Sequence, residues 1–72
     1  MPIFTRHPHT VTPRQREILR LIAEGQTSAE IAEELGLSVF TVKNYVERVL
    51  SRLGVYTRAG AVGLALREGL LD

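Results

Sequence analysis

From residue 12 onward, apolar side chains recur at spacings of three and four, the period of amphipathic helices, and no stretch alternates as a strand would. Ile18, Leu21 and Ile22 form the buried face of a first helix. Thr12 is its N-cap, Pro13 its first helical residue and Gln15 its capping-box partner; the helix runs to about Glu24 and ends at Gly25. Thr27 followed by Glu30 opens a second helix with Ile31, Ala32 and Leu35 inward and Gly36 as its left-handed terminus. Ser38 caps a third helix, Leu37 staples onto Val42 across its first turn, and Gly54 ends it, with Val55 folding back onto Leu50. A fourth helix follows Thr57, reaches about Glu68 and leaves through Gly69-Leu70-Leu71. The expected fold is all-α, four helices with short connections. Residues 12–72 form the domain, and Met1–Val11, with two prolines and no helical period, is a flexible arm or linker.

The third helix has two distinct faces. At one hundred degrees per residue, Val42, Val46, Val49, Leu50 and Leu53 gather on one side, and Phe40, Lys43, Asn44, Glu47, Arg48 and Ser51 on the other. One face anchors the helix; the other offers donors and acceptors to a surface. Ala32 lets helices two and three approach, and Gly36 permits positive φ in the turn between them. A short capped helix, a glycine turn and a longer two-faced helix make the helix-turn-helix pattern, whose second helix enters the DNA major groove. The competing reading is an ordinary αα-hairpin with a solvated polar face. Against it, the capping box, turn glycine, small packing residue and staple all occur in register.

Composition narrows the picture. Seventy-two residues are one domain, near the lower limit of what folds without a metal or disulfide. The absence of cysteine excludes a zinc finger and a disulfide scaffold, and suits a reducing cytoplasm. No apolar run spans a bilayer, so no membrane partner is expected, and Met1–Thr10 lacks the apolar core of a signal peptide. The formal charge of +1 does not argue for nucleic acid; the placement of the charges does. No phosphate loop, nucleophile–base set or metal-ligand spacing is present, so neither an enzyme nor a cofactor is expected. His7 and His9 lie in the arm and are no more than a weak metal candidate.

Side-chain chemistry assigns the roles. Lys43 reaches guanine N7 or O6, or a phosphate, and Asn44 pairs with adenine or another acceptor. Thr41, at the helix start, and Arg48 suit phosphate, and Thr27 and Ser28 at the start of the second helix join them. Glu47 either accepts from cytosine N4 or serves as the i+4 partner of Lys43. Phe40, an aromatic beside Val39 at the helix start, touches a thymine methyl, covers a gap in a partner, or lies on the surface. In the fourth helix, Arg58, Ala61, Val62, Ala65 and Gly69 are placed inward, and Gly60, Gly63, Leu64 and Arg67 outward. Helical glycine costs about 1 kcal/mol relative to alanine. Two of them in one short helix point to a close helix–helix approach, most simply a dimer interface, although a fraying helix on its own domain is the alternative.

These residues resemble the LuxR/GerE-type helix-turn-helix domain, which is also the output domain of NarL/FixJ-type response regulators. The resemblance covers Val11 to Leu71. It rests on Thr12-Pro13-Arg14-Gln15-Arg16-Glu17-Ile18-Leu19, Gly25-Gln26-Thr27, Glu30-Ile31-Ala32, Leu37-Ser38, Thr41-Val42-Lys43-Asn44, Leu53-Gly54-Val55, and the Arg58…Ala61-Val62…Gly69-Leu70-Leu71 tail. It implies a bacterial transcriptional regulator that reads double-stranded DNA with its third helix. It further implies dimerisation through the fourth helix on a two-fold symmetric site, with RNA polymerase as a further candidate partner. The family's base-contacting positions fall on Lys43, Asn44 and Glu47, and its acidic–basic structural pair on Glu17 and Arg52. Gln15, Ala29, Val39, Phe40 and Glu47 depart from the family's usual residues and lower the positive charge near DNA. Modest affinity per monomer and a need for dimerisation follow. The rival readings are a promoter reader like region 4 of sigma factors, against which the fourth helix argues, and a protein-interaction module using Val39, Phe40 and Leu64.

Overall fold

The computed structural model describes residues 11–71, so most of the arm, with His7 and His9, lies outside the described residues. Four helices follow in order: α1 Pro13–Ala23, α2 Ser28–Leu35, α3 Val39–Leu53 and α4 Arg58–Glu68. Each begins where a side chain accepts a first-turn N–H. Thr12 Oγ1 takes the N–H of Gln15 at 3.0 Å while Gln15 Oε1 takes that of Thr12 at 3.0 Å, so glutamine completes the box as glutamate would. Thr27 and Glu30 make the second box. Ser38 and Thr57 cap α3 and α4.

The turn between α2 and α3 depends on Gly36, whose φ of 70° lets Leu37 N–H reach back to Ala32 O at 2.9 Å. The same closure ends α3, where Val55 N–H donates to Leu50 O at 3.0 Å and Gly54 N–H to Ser51 O at 3.1 Å. Each closure thus brings a backbone donor back to a carbonyl of the last helical turns.

α3 packs against α2, α1 and α4, and α1 also packs against α4. Ile18, Leu19, Leu21 and Ile22 of α1, Ile31 and Ala32 of α2, Val42, Val46, Val49 and Leu53 of α3, and Ala61 and Ala65 of α4 form one core. Leu35, Leu37 and Leu50 border it, half-buried. Three details differ from the expectation. Val11, placed in the arm, is buried in this core. Leu19, outside the predicted face, is fully buried, because α3 and α4 both cover α1 and widen its buried arc to about 160°.

The third correction concerns α4. Its seam is Ala61 and Ala65, and Leu64, expected to face out, is half-buried against the core. Leu64 stands about 80° from that seam, near enough for a long side chain to lean back over the preceding turn. Leu66 takes the exposed place, and Gly69, expected inward, lies past the helix end and is exposed. Gly60 is occupied from within the chain: a Cβ there would stand 3.1 Å from Thr57 Oγ1 and 3.5 Å from Val55 Cβ. Gly63 is open: a Cβ there would meet Arg67 Nη1 at 3.7 Å and no other side chain within 4 Å among the described residues.

Candidate nucleic-acid interface

α3 is built as a rod with one sealed and one open side. Val42 and Val49 are fully buried and Val46 and Leu53 nearly so, whereas Phe40, Lys43, Asn44, Glu47, Arg48 and Ser51 are all exposed. Burying four apolar side chains contributes about 1.5–3 kcal/mol each, so the helix cannot roll to present another face. The exposed set falls at i, i+3, i+4, i+7, i+8 and i+11, a straight polar ridge. Lys43 and Glu47 form no ion pair with each other among the described residues, which leaves the ammonium available.

The start of this ridge is electrostatically open. Ser38 Oγ accepts the Thr41 N–H at 3.0 Å and donates to Thr41 Oγ1 at 2.9 Å, so the Thr41 hydroxyl keeps its own proton to donate. No acidic residue stands in the first turn of α3, so no carboxylate of that turn offsets the positive end of its dipole. The start of α2 differs. Glu30 Oε1 accepts the Thr27 N–H at 2.8 Å, which places a carboxylate at the positive end of that helix. The start of α2 is therefore less open to an anion than the start of α3, with the Thr27 N–H already engaged by a carboxylate. Ser28 Oγ in addition accepts from Arg58 Nη2 in a part-buried bond that ties the start of α2 to the start of α4.

Two further contacts, neither anticipated from the sequence, tie neighbouring elements together, and the first of them reaches α3. The Arg14 guanidinium lies 5.9 Å from the centroid of the half-buried Tyr45 ring and 3.7 Å from Glu17 Oε1, which links α1 to α3 beside the ridge. Gln26 Nε2 donates to Glu34 Oε1 at 3.0 Å across the α1–α2 connection. Arg14 and Tyr45 stand 31 positions apart and Gln26 and Glu34 eight, so no local periodicity signals either pair.

A capped two-helix unit with a glycine turn, whose second helix seals its valine stripe and exposes a lysine–asparagine ridge, defines a helix-turn-helix domain. The family model "Bacterial regulatory proteins, luxR family" matches residues 9–65, and the chain belongs to that family. Its members are regulatory proteins, not enzymes. The chain is 47% identical over 62 residues to the probable transcriptional regulatory protein NarL of Mycobacterium tuberculosis, covering 86% of this chain and 29% of that protein. It is 40% identical to the spore germination protein GerE of Bacillus subtilis, covering 86% of this chain and 84% of GerE. Among solved structures, a complex of Vibrio cholerae VqmA with ligand and DNA aligns with a TM-score of 0.79 at 31% identity, over 86% of this chain and 27% of VqmA. The VqmA dimer without target DNA aligns with a TM-score of 0.82 at 29% identity, over 94% and 31% of the two chains. The present chain thus corresponds to the DNA-binding domain of such a transcriptional regulator, and spans less than a third of NarL's length. No helix among the described residues is long and apolar enough to cross a membrane.

Proposed function

We propose that this chain binds double-stranded DNA sequence-specifically, as a dimer, with α3 in the major groove. The observation that carries this reading is the division of α3 between a buried valine stripe and an exposed ridge whose first turn carries no acidic residue. Lys43, Asn44, Glu47 and Phe40 face base edges, and Thr41 and Arg48 hold phosphate, with Thr27 and Ser28 as supplementary contacts. The setting is the bacterial cytoplasm, with RNA polymerase as a further candidate partner. The test is fluorescence anisotropy on a duplex of mixed sequence at two salt concentrations. Affinity falls with salt, with a logarithmic slope of about −0.9 per phosphate neutralised. A chain that binds no duplex, or binds without regard to salt, overturns the proposal and favours a protein-docking role.

The dimer is assigned to the outer side of α4, centred on Gly63, Leu66 and Arg67 with Gly60 and Leu64 on its flank. Support comes from the open space over Gly63 and the exposure of Leu66 beside it. Two-fold pairing there sets the half-sites about 10 bp apart, one helical turn. Because a side chain at Gly63 meets so little of its own protomer, Gly63→Glu leaves the fold intact. It is expected to weaken binding to a duplex with two half-sites by about tenfold while sparing a single half-site. Equal losses on the two duplexes, read by anisotropy, would move the dimer contact elsewhere.

A further inference from the structure

We infer that Val39 and Phe40 form an apolar tip that reads the C5-methyl group of a pyrimidine, so that binding depends on a methyl at one step of the site. The inference rests on the placement of α3 proposed above. Phe40 is 74% exposed and Val39 40%, whereas the other large apolar residues of α3 are buried or half-buried. Phe40 thus lies outside the core packing, on the ridge carrying Lys43, Asn44 and Glu47, which follow it by three, four and seven positions, and Val39 flanks it one position earlier. It also occupies the first turn of α3, the part of a recognition helix that reaches base edges.

The chemistry then selects the target. A phenyl ring neither donates nor accepts a conventional hydrogen bond, so it does not distinguish the N7, O6, N4 or N6 groups of the major groove. The apolar group that unmodified bases present there is the C5-methyl of thymine. A cytosine methylated at C5 presents the same group at the same place. A protein partner fits the tip less well. Polar Lys43 and Asn44 follow within a turn, and the exposed Tyr56 lies beyond the far end of a helix about 22 Å long, so no broad apolar patch forms around it.

The experiment uses the full chain and duplexes obtained by in-vitro selection. Each thymine is replaced singly by uracil, which removes the methyl and leaves the hydrogen-bonding edge unchanged. The wild-type chain is expected to lose about fourfold in affinity at one or two positions in each half-site, the worth of one buried methyl. Phe40→Ala, at an exposed position, should bind thymine and uracil duplexes equally at those positions. A second arm places cytosine or 5-methylcytosine at the sensitive step. A gain of about fourfold on methylation assigns recognition to the methyl whichever base carries it, and no gain assigns it to thymine. Full uracil tolerance at every position overturns the inference while leaving the DNA reading standing. So does a Phe40→Ala variant that keeps the wild-type sensitivity. A chain that binds none of the selected duplexes overturns both.

Discussion

Lys43→Ala should lower affinity for a single selected half-site by about 5- to 150-fold and flatten the preference at the base pair that Lys43 faces, the range set by losing one good base contact worth about 1–3 kcal/mol. The substitution is well suited to interpretation. Lys43 is exposed, and alanine is at least as good a helix former, so the fold and the set of α3 are retained. Two measurements separate its possible duties. If Lys43 reads a base, competition among single-base variants of the site shows relaxed specificity at one position. If it holds a phosphate, affinity falls uniformly across sequences and the salt slope shrinks by about one. Unchanged specificity would remove Lys43 from the base-reading set and leave Asn44 and Phe40 to carry it.

The largest effect on stability is expected at Leu19. Its side chain is fully buried in α1, a helix that packs against both α3 and α4. Truncation to alanine removes the transfer free energy of the lost atoms and leaves a cavity, together about 2–5 kcal/mol. At about 0.05–0.15 kcal/mol per residue, a domain this size holds only about 4–11 kcal/mol in total. Leu19→Ala therefore consumes a large share of the margin and leaves a substantial unfolded population near physiological temperature. Urea denaturation followed by circular dichroism should show the midpoint falling at unchanged slope. A loss below about 1 kcal/mol would mean that α1 relaxes into the space and that its packing is less tightly determined than the burial implies.

Much of the architecture was legible before any coordinates, and the reason is the range of the interactions involved. The Thr12–Gln15 and Thr27–Glu30 boxes, the Ser38 and Thr57 caps and the closures at Gly36 and Gly54 each join residues within five positions of one another. α3 was equally readable, since its valine stripe and polar ridge differ strongly in character. α4 was not. Apolar side chains point to most of its sides, so its period selects no single inward face, and Leu64, expected outward, packs against the core. The Arg58–Ser28 bond spans thirty positions and the Arg14–Tyr45 contact joins two helices, so neither leaves a trace in local spacing.

The amino-acid order alone thus determined where each helix begins and ends and which side of α3 turns outward, because caps, turns and amphipathic period act over a few residues. Tertiary packing decided the rest: the burial of Leu19 and Val11, the Ala61–Ala65 seam of α4, the open space over Gly63, and the engagement of Ser28 by Arg58. Those outcomes depend on which distant surfaces meet, and chain segments far apart in sequence acquire a common geometry only when the core closes around them.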